Sequence, residues 1–353
     1  MTNEQTLEFL TTAANQHASD IFIIAGRPLS IKVDGHLTDF GERLMPDDTK
    51  QILECIYQMA NNRDINHLLN TGDDDFSFSI PGLSRFRINA YKQRGSLAAV
   101  IRVIAFQLPD PSELSIPDDV MQTADYTKGM VLVTGSAGSG KSTTMACLID
   151  RINHSREGHI ITLEDPLEYL HRHNRCIVSQ REICTDTENY LTSLRATLRQ
   201  SPDVILLGEM RDHETIQTAM TAAETGHLVL SSLHTLGAAN SISRIIDVFE
   251  PAQQHQIIIQ LSMVLQAVIS QQLIPDVSGK VIPVFEVMRL TPAIRNMIRD
   301  NNIPQIDGTV YSANKEDMHS MDYSLQQLAK SGKVTAESAL SYASNPEMLK
   351  KKL

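Results

Sequence analysis

The chain has 353 residues, of which 42% are hydrophobic, so it is long enough to form two domains that each bury a core. Its 42 acidic and 31 basic residues give a net charge of -11, which argues against nucleic acid as the main partner, because phosphate binding needs concentrated positive charge. The four cysteines form no CxxC pair, so neither a zinc site nor a disulfide framework is predicted.

The N-terminal segment MTNEQTLEFLTTAANQHASD is polar and acidic, whereas a secretory signal would be basic and then apolar. The most apolar long stretch, IIIQLSMVLQAVIS from residue 257, is interrupted by Gln260, Ser262 and Gln266. It falls short of the roughly 18 uninterrupted apolar residues that a membrane span needs. We therefore expect a soluble cytoplasmic protein without a membrane span of its own.

Residues 1–106 have the pattern of an α+β domain. A helix is predicted near residues 3–16, followed by short strands in IFIIAGRPLSIKVDGHLTDF, where Asp34-Gly35 signals a hairpin. A helical stretch around residues 47–69 comes next, and then strands in FSFSI and SRFRINAYKQRGSLAAVIRVI. The prolines and acidic residues of QLPDPSELSIPDD predict a linker at 107–119.

From about residue 129 the pattern changes to apolar strands that alternate with helical stretches. The strands are GMVLVTG, HIITLED, DVILLGE and HLVLSSLH. This alternation predicts an α/β domain with a mostly parallel sheet over residues 120–290. Residues 291–353 read as a helical C-terminal region that includes AIRNMIRD and MDYSLQQLAKSGKVTAESALSYA.

The segment GSAGSGKS, residues 135–142, fits the phosphate-loop pattern GxxxxGK[ST] between a strand and a helix. Its backbone amides would hold the phosphates of ATP, Lys141 would reach the β and γ phosphates, and the Ser142 hydroxyl would bind Mg²⁺. The residues predicted to bind the nucleotide are Gly135, Ser136, Ala137, Gly138, Ser139, Gly140, Lys141, Ser142 and Thr143.

The strand in SPDVILLGEMRD ends at Glu209 and lacks the aspartate that commonly serves the metal in such sites. Asp203 lies at the amino end, about 16 Å from the site at roughly 3.3 Å per residue, and is expected to begin or cap the strand. Ligands of parallel sheets bind beyond the carboxyl ends of the strands. Glu209 is therefore predicted to polarise a water beside the γ-phosphate, with a surface carboxylate as the alternative.

Two further acids, Glu164 and Asp165, end the strand HIITLED. Glu164 is predicted to position the attacking water or to hold a water bound to the metal, which leaves Ser142 as the only direct protein ligand of Mg²⁺. The alternative, in which both acids cap the next segment, stays open, and so does the role of Asp165.

Two histidines flank the strand in HLVLSSLHT. His234, at the carboxyl end, is predicted to donate a hydrogen bond to the γ-phosphate and so to distinguish ATP from ADP. His227, at the start of the strand, is a second candidate. A histidine in the core or on the surface is the alternative for both.

Residues 85–102, RFRINAYKQRGSLAAVIR, hold five basic residues and no acidic one. If Arg94-Gly95 is the turn of a hairpin, the numbers of paired residues sum to 189, and Arg87 faces Arg102. Like charges directly opposite are destabilising, so an anion such as a γ-phosphate between them would explain the pairing. A solvated basic strand face is the alternative.

In this order, GSAGSGKST, ITLEDPLE, SPDVILLGEMRD and TGHLVLSSLHT resemble the Walker A, Asp box, Walker B and His box motifs of the secretion ATPase superfamily, which drives type II secretion and type IV pili. The resemblance covers nearly the whole chain. It implies a RecA-like P-loop ATPase domain, a smaller N-terminal PAS-like domain and a helical C-terminal region. It also implies Glu209 as the catalytic base and Arg87 and Arg102 as arginine fingers, with Arg94 as a weaker third.

AIRNMIRD, residues 293–300, resembles the AIRNLIRE signature of the pilus retraction ATPases within this superfamily, and differs from it at Met297 and Asp300. Thr291 and Pro292 suit the cap and first turn of a helix here. One face of this helix would bury Ile294, Met297 and Ile298, and another would carry Arg295 and Arg299.

The resemblance implies a homo-hexamer with ATP bound between the PAS-like and RecA-like domains. The hexamer would act on the inner-membrane platform protein of the pilus, and through it on the pilin filament, at the inner face of the cytoplasmic membrane. Three alternatives stay open: a pilus-assembly or type II secretion motor with the same chemistry, a RecA-like motor that translocates nucleic acid, and a non-hydrolysing accessory subunit.

Overall fold

The computed structural model describes residues 2–33, 35–104, 108–313 and 318–353. The chain divides into two compact units, Met1–Gln107 and Leu108–Leu353. Among the described residues, none of the helices combines the length and the apolar composition that crossing a membrane requires.

The first unit is a six-stranded sheet with helices. Its elements are α1 (Asn3–Asn15), β1 (Asp20–Ile23), β2 (Leu29–Val33), β3 (His36–Phe40), α2 (Pro46–Met59), α3 (Asn66–Thr71), β4 (Asp73–Ile80), β5 (Ser84–Gln93) and β6 (Ser96–Ile104). The strands pair antiparallel in the order β3-β2-β1-β6-β5-β4. Apolar side chains on one face of the sheet pack with α1 and α2 into a core of their own.

Local sequence explains where these helices begin and end. Thr2 caps α1 in a capping box with Gln5. The helical stretch predicted around residues 47–69 is two helices, because Asn61 and Asn62 adopt positive φ angles of 57° and 55° and end the helical path after α2. The predicted β2–β3 hairpin is present, with Val33 paired to His36. Asp34, at its turn, lies outside the described residues.

The hairpin of β5 and β6 has the register that the sequence predicts. Arg94 and Gly95 form its turn with φ angles of 48° and 81°, as a two-residue turn between twisted strands requires. Gln93 pairs with Ser96, and Arg87 faces Arg102 across the ladder.

The second unit contains a seven-stranded sheet covered by helices. Its strands are β7 (Gly129–Thr134), β8 (Gly158–Glu164), β9 (Cys176–Glu182), β10 (Val204–Leu207), β11 (Leu228–Leu233), β12 (Leu265–Pro275) and β13 (Val281–Arg289). Its helices are α4 (Asp118–Met121), α5 (Lys141–Ser155), α6 (Tyr190–Thr197), α7 (His213–Glu224), α8 (Ala238–Asp247), α9 (Pro251–Val264), α10 (Pro292–Arg299), α11 (Gln305–Ser312), α12 (Met321–Lys330), α13 (Ala336–Ser341) and α14 (Pro346–Lys350), with a 3-10 turn at Gln122–Asp125.

The strand order is β13-β12-β7-β11-β10-β8-β9, and all neighbours are parallel except the edge strand β13. Along β7, Met130 and Leu132 pack with α7, α8 and α9 on one face, whereas Val131 and Val133 pack with α5 on the other. Burial on both faces explains why these strands are continuously apolar. The predicted parallel α/β sheet is confirmed, and its four predicted strands are β7, β8, β10 and β11.

Helix α10 begins as its sequence predicts. The Thr291 side chain accepts a hydrogen bond from the Ile294 amide at 3.2 Å, and Pro292 occupies the first turn. Ile294 and Ile298 are fully buried, and Met297 packs partly buried against the same core. The expected apolar face of this helix is therefore confirmed.

The two arginines of α10 have different environments. Arg295 donates to the backbone carbonyl of Ser262 at 2.8 Å, in the last turn of α9. A cation at a helix C-terminus satisfies unpaired carbonyls and interacts favourably with the helix dipole. Arg299 is exposed and contacts Asn296 on its own helix. Arg295 therefore has a structural role, whereas Arg299 is accessible.

Candidate ATP-binding site

The adjacent strands β7, β11, β10 and β8 end at the same edge of the second sheet. A cavity of about 260 Å³ opens at this edge. Its lining includes Lys141, Ser142, Glu164, Tyr190, Glu209 and His234. The carboxyl edge of a parallel sheet is the usual place for a ligand site, so the fold brings the predicted motifs to a functional position.

The loop between β7 and α5 has the backbone of a phosphate-binding loop. Gly135, Gly138 and Gly140 adopt φ angles of 149°, 75° and 85°, which favour glycine. A Cβ on Gly135 would lie 2.3 Å from the carbonyl oxygen of Gln271, so a larger residue would not fit there. Because Gly140 precedes α5 and has no side chain to cap it, the first amides of α5 remain free to bind an anion.

Lys141 is held against this loop. Its Nζ donates to the carbonyl oxygens of Gly135 and Ser136, each at 2.8 Å. Desolvation by burial lowers the pKa of Lys141, and the negative charges of Glu168 and Glu209 oppose this effect. The lysine is thus placed where a phosphate can take over its hydrogen bonds.

The predicted nucleotide-binding residues divide into two groups. Those that line the cavity are Ala137, Gly138, Lys141 and Ser142. The others, Gly135, Ser136, Ser139, Gly140 and Thr143, belong to the loop and the start of α5, outside the lining of the cavity. The Thr143 hydroxyl is hydrogen-bonded to the Tyr169 hydroxyl at 2.8 Å.

Glu209 follows β10 and sits between two basic side chains. Its Oε1 lies 2.7 Å from Arg211, and its Oε2 lies 3.5 Å from Nε2 of His234, while only 13% of its side chain is exposed. Glu209 is thus held at the carboxyl end of β10, inside the cavity, by contacts with Arg211 and His234. Arg211 was not predicted, although its position two residues after Glu209 in GEMRD was a visible signal.

Glu164 ends β8 and lines the same cavity as Asp165. The pKa of Glu164 is raised to about 7, mainly by desolvation and also by the charges of Glu168 and Glu182. Hydrogen bonds to Thr162 and Gln180 oppose this rise, the latter from Gln180 Nε2 at 3.4 Å. A carboxyl group with such a pKa is one that burial has tuned, as is typical of functional sites.

We expect Glu164→Gln to stabilise the nucleotide-free protein at alkaline pH. Between the ordinary pKa of 4.5 and the folded value of about 7, the folded state binds more protons at Glu164 than the unfolded state, so stability falls as pH rises through this window. Glutamine does not titrate, so this loss of stability disappears. At pH 8 the free energy of unfolding should therefore be higher by about 1–3 kcal/mol. Denaturant unfolding at several pH values measures it, with exposed Glu188→Gln as the control; a gain that does not grow with pH would contradict the assignment.

Asp203 directly precedes β10 (Val204–Leu207) at the opposite edge of the sheet, as its position in the sequence predicts. Its Oδ2 accepts from the amide of His159 at 2.7 Å, and its own amide donates to the carbonyl of His159 at 2.8 Å. Asp203 therefore joins the starts of β8 and β10 and lies away from the carboxyl ends of the strands.

His227 is not brought to the cavity. It precedes β11, whereas His234 follows it, so the whole strand separates the two histidines. The Nδ1 of His227 lies 2.9 Å from the Ala222 carbonyl and 3.2 Å from the Thr225 hydroxyl. The expectation that His227 joins the catalytic residues is therefore not met within this unit, because it stands at the amino edge of the sheet.

Arg87 and Arg102 belong to the first unit. Asp75 pairs with Arg87 at 2.6 Å, and Asp20, on the neighbouring strand β1, pairs with Arg102 at 3.3 Å. Each of the facing arginines thus has a carboxylate of its own. A bound anion is not needed to explain the pairing, contrary to the argument from the sequence, and the proposed role as arginine fingers rests on the family resemblance.

No group of three or more His, Cys, Asp or Glu side chains within the described ranges is arranged to hold a metal ion. The donors in the cavity fit Mg²⁺ in another way, because this ion keeps several waters and needs few direct protein ligands. Ser142 lines the cavity together with Glu164 and Glu209, so one hydroxyl and two carboxylates are available to the ion and its waters.

These features define a P-loop ATPase with a RecA-like fold: a glycine loop between a parallel strand and a helix, its lysine, and carboxylates at the ends of the neighbouring strands. The chain belongs to the family described as Type II/IV secretion system protein, whose model matches residues 3–281.

Two relatives and one solved structure are similar over nearly their whole length. The "Type IV pilus retractation ATPase PilT" of Pseudomonas aeruginosa is 41% identical over 340 residues, which cover 96% of this chain and 98% of that protein. The "Twitching motility protein" of Neisseria gonorrhoeae is 39% identical and covers 97% of this chain and 91% of that protein. A crystal structure of the pilus retraction motor PilT with bound ADP has a TM-score of 0.88 at 41% identity and covers 98% of both chains.

Proposed function

We propose that this chain is an ATP-hydrolysing motor that retracts type IV pili, and so drives twitching motility, by disassembling the pilin filament. The observation that carries this proposal is the cavity where Lys141, Ser142, Glu164, Glu209 and His234 meet, in a chain that is 41% identical to a retraction ATPase. We assign each of these side chains a role in hydrolysis.

The phosphate loop and Glu209 supply the two halves of the reaction. Lys141 and the amides of the loop hold the phosphates, and Ser142 binds Mg²⁺, which neutralises phosphate charge when it is bound. Glu209 accepts a proton from the attacking water, Glu164 orients this water, and His234 senses the γ-phosphate. The partners of Glu209, Arg211 and His234, position its carboxylate in the cavity.

The proposed domains are a PAS-like domain at 1–106, a linker at 107–119, a RecA-like ATPase domain at 120–290 and a helical region at 291–353. The chain works as a homo-hexamer. In it, Arg87 and Arg102 exchange their aspartate partners for the phosphates of ATP and neutralise the charge that develops during transfer. An exchange from exposed ion pairs costs little, because such pairs contribute only about 0–1 kcal/mol.

The hexamer acts on the inner-membrane platform protein of the pilus and, through it, on the pilin filament. It is cytoplasmic and peripheral to the membrane through the pilus machine, and nucleic acid is not a partner. The accessible Arg299 on α10 supports a role of this helix in the retraction contact.

Deletion of the gene tests the direction of the motor. Cells without a retraction motor should accumulate surplus, static pili and lose twitching, because assembly continues while disassembly stops. Electron microscopy of surface pili and a twitching assay measure both effects. Cells without pili after the deletion would instead indicate an assembly motor and contradict the proposal.

A further inference from the structure

Tyr190 lines the ATP-binding cavity, and no motif or role accounts for it. It is the first residue of α6, whose start is fixed by the Asn189 side chain, which accepts from the Thr192 amide at 2.9 Å. The ring of Tyr190 packs partly buried against the apolar core of the second unit. The core thus fixes the ring while its hydroxyl reaches the cavity.

The hydroxyl of Tyr190 lies directly over Gly208. A Cβ on Gly208 would lie 2.8 Å from this hydroxyl oxygen and 3.5 Å from the Cα of Glu164. The Gly208 amide donates to the carbonyl of Leu163 at 2.8 Å, and its carbonyl accepts from the Ser232 hydroxyl at 2.6 Å. Since the neighbouring strands hold Gly208 in place, its missing side chain is what leaves room for the tyrosine hydroxyl.

The position of Gly208 does not itself require glycine. Its φ angle lies outside the left-handed region, unlike the φ angles of the glycines of the phosphate loop. The backbone would therefore accept alanine, and the close approach of Tyr190 is the feature that alanine would disturb.

Tyr190 shares the lining of the cavity with three carboxylates, Glu164, Asp165 and Glu209. Burial raises its pKa, and the negative charges of Glu209, Asp165 and Glu164 raise it further, while Arg211 opposes them. The hydroxyl therefore keeps its proton at any working pH. Across residues 2–33, 35–104, 108–313 and 318–353 it makes no hydrogen bond, although a phenol hydroxyl in a partly buried site normally has one.

We propose that the Tyr190 hydroxyl binds the attacking water and holds it between Glu164 and Glu209. The hydroxyl oxygen accepts one hydrogen of the water, and its own proton is donated toward a neighbouring carboxylate. The second hydrogen of the water then points to Glu209. This inference rests on the proposed ATPase function and adds a residue to its chemistry.

Tyr190 gains and loses no proton during ATP hydrolysis. The water oxygen forms a bond to the γ-phosphorus while the bond from this phosphorus to the bridging oxygen breaks, and the electron pair leaves with ADP. Glu209 takes the proton of the water. Tyr190 keeps its own proton and fixes the direction of attack, so its effect should fall on turnover and not on nucleotide affinity.

Four proteins test the proposal in the full-length oligomer: the parent, Tyr190→Phe, Gly208→Ala and the double variant. Phenylalanine keeps the ring and removes only the hydroxyl. Gly208→Ala displaces the Tyr190 hydroxyl without removing it. Tyr342→Phe, which removes a hydroxyl at the exposed end of α13, is the matched control, and thermal unfolding reports on the fold of each variant.

We expect Tyr190→Phe to lower kcat about tenfold, which corresponds to one hydrogen bond lost in the transition state, and to leave KM for ATP within about twofold. Gly208→Ala should lower kcat similarly. In the double variant the effect of Gly208→Ala should largely disappear, because both changes act on the same hydroxyl. Tyr342→Phe should match the parent.

Equal kcat values for the parent and Tyr190→Phe would overturn the role of Tyr190. Fully multiplicative effects in the double variant would overturn its link to Gly208, and a rise in KM without a fall in kcat would assign the hydroxyl to nucleotide binding instead. None of these kinetic outcomes decides whether the protein retracts pili, which the gene deletion tests independently. A parent that hydrolyses ATP, but whose deletion leaves no surplus of pili, contradicts retraction alone.

Discussion

Glu209→Gln should retain ATP binding and lose turnover, with kcat lower by about 10³-fold, the usual scale for loss of a general base. Glutamine has nearly the same size as glutamate and can occupy the same space between Arg211 and His234. It cannot accept a proton from water at neutral pH. The loss should therefore fall on the chemical step, while Lys141 and the phosphate loop still hold the nucleotide.

Binding of a fluorescent ATP analogue and steady-state phosphate release separate the two effects. Glu214→Gln, an exposed glutamate in the first turn of the next helix, α7, is the matched control and should keep both at the level of the parent. Hydrolysis by Glu209→Gln near the parent rate would contradict the assignment of the base. Loss of binding in this variant would instead show that the carboxylate is needed to shape the site.

The double variant Arg87→Ala, Arg102→Ala should lower kcat by about 10³-fold or more, the range that arginine fingers contribute to phosphoryl transfer. Its folding stability should change by only about 1–2 kcal/mol, because two exposed ion pairs are removed. The effect on catalysis is then far larger than the effect on the fold. This difference in scale separates a chemical role from a structural one.

Steady-state hydrolysis and denaturant unfolding of the same preparations measure both quantities. Arg27→Ala is a matched control, because Arg27 forms a similar exposed pair with Asp39 in the same unit, at 3.2 Å. It should leave kcat unchanged. A double variant with the turnover of the parent would assign Arg87 and Arg102 to the surface of their sheet and to nothing else.

Local rules account for the parts of the fold that the sequence predicts well. The register of β5 and β6 follows from Arg94-Gly95, because a two-residue turn fixes every pair in the ladder. The four strands that end in motifs are apolar, short and bounded by polar residues. The parallel arrangement then follows from their alternation with helices.

Two strands that the sequence does not predict, β9 and β12, lack such boundaries. Helix α9 ends at Val264 and β12 begins at Leu265, so the apolar stretch from residue 257 changes from helix to strand without a break in composition. Strand β9 lies at the edge of the sheet and carries Ser179, Gln180 and Arg181, which weaken its apolar pattern. Only the tertiary packing decides the conformation of these segments.

The same distinction holds for the candidate site. Lys141, Ser142 and Glu209 were predicted because a motif or the end of a strand places them. A helix and a strand separate Tyr190 from Gly208 in the sequence, and no spacing rule predicts that the Tyr190 hydroxyl lies close to this glycine. Asp20 likewise meets Arg102 only because β1 pairs with β6. The raised pKa of Glu164 also depends on burial, which the sequence does not reveal.

Retraction driven by ATP hydrolysis is tested most sharply by the number of surface pili on cells whose only copy of this gene carries Glu209→Gln. This variant keeps the bound nucleotide and the whole surface of the motor but does not turn over ATP. If hydrolysis at Glu209 drives retraction, these cells should carry as many surplus, static pili as cells without the gene, whereas cells with Glu214→Gln should have the normal number. A normal number of pili and normal twitching with Glu209→Gln would show that hydrolysis at Glu209 does not drive retraction.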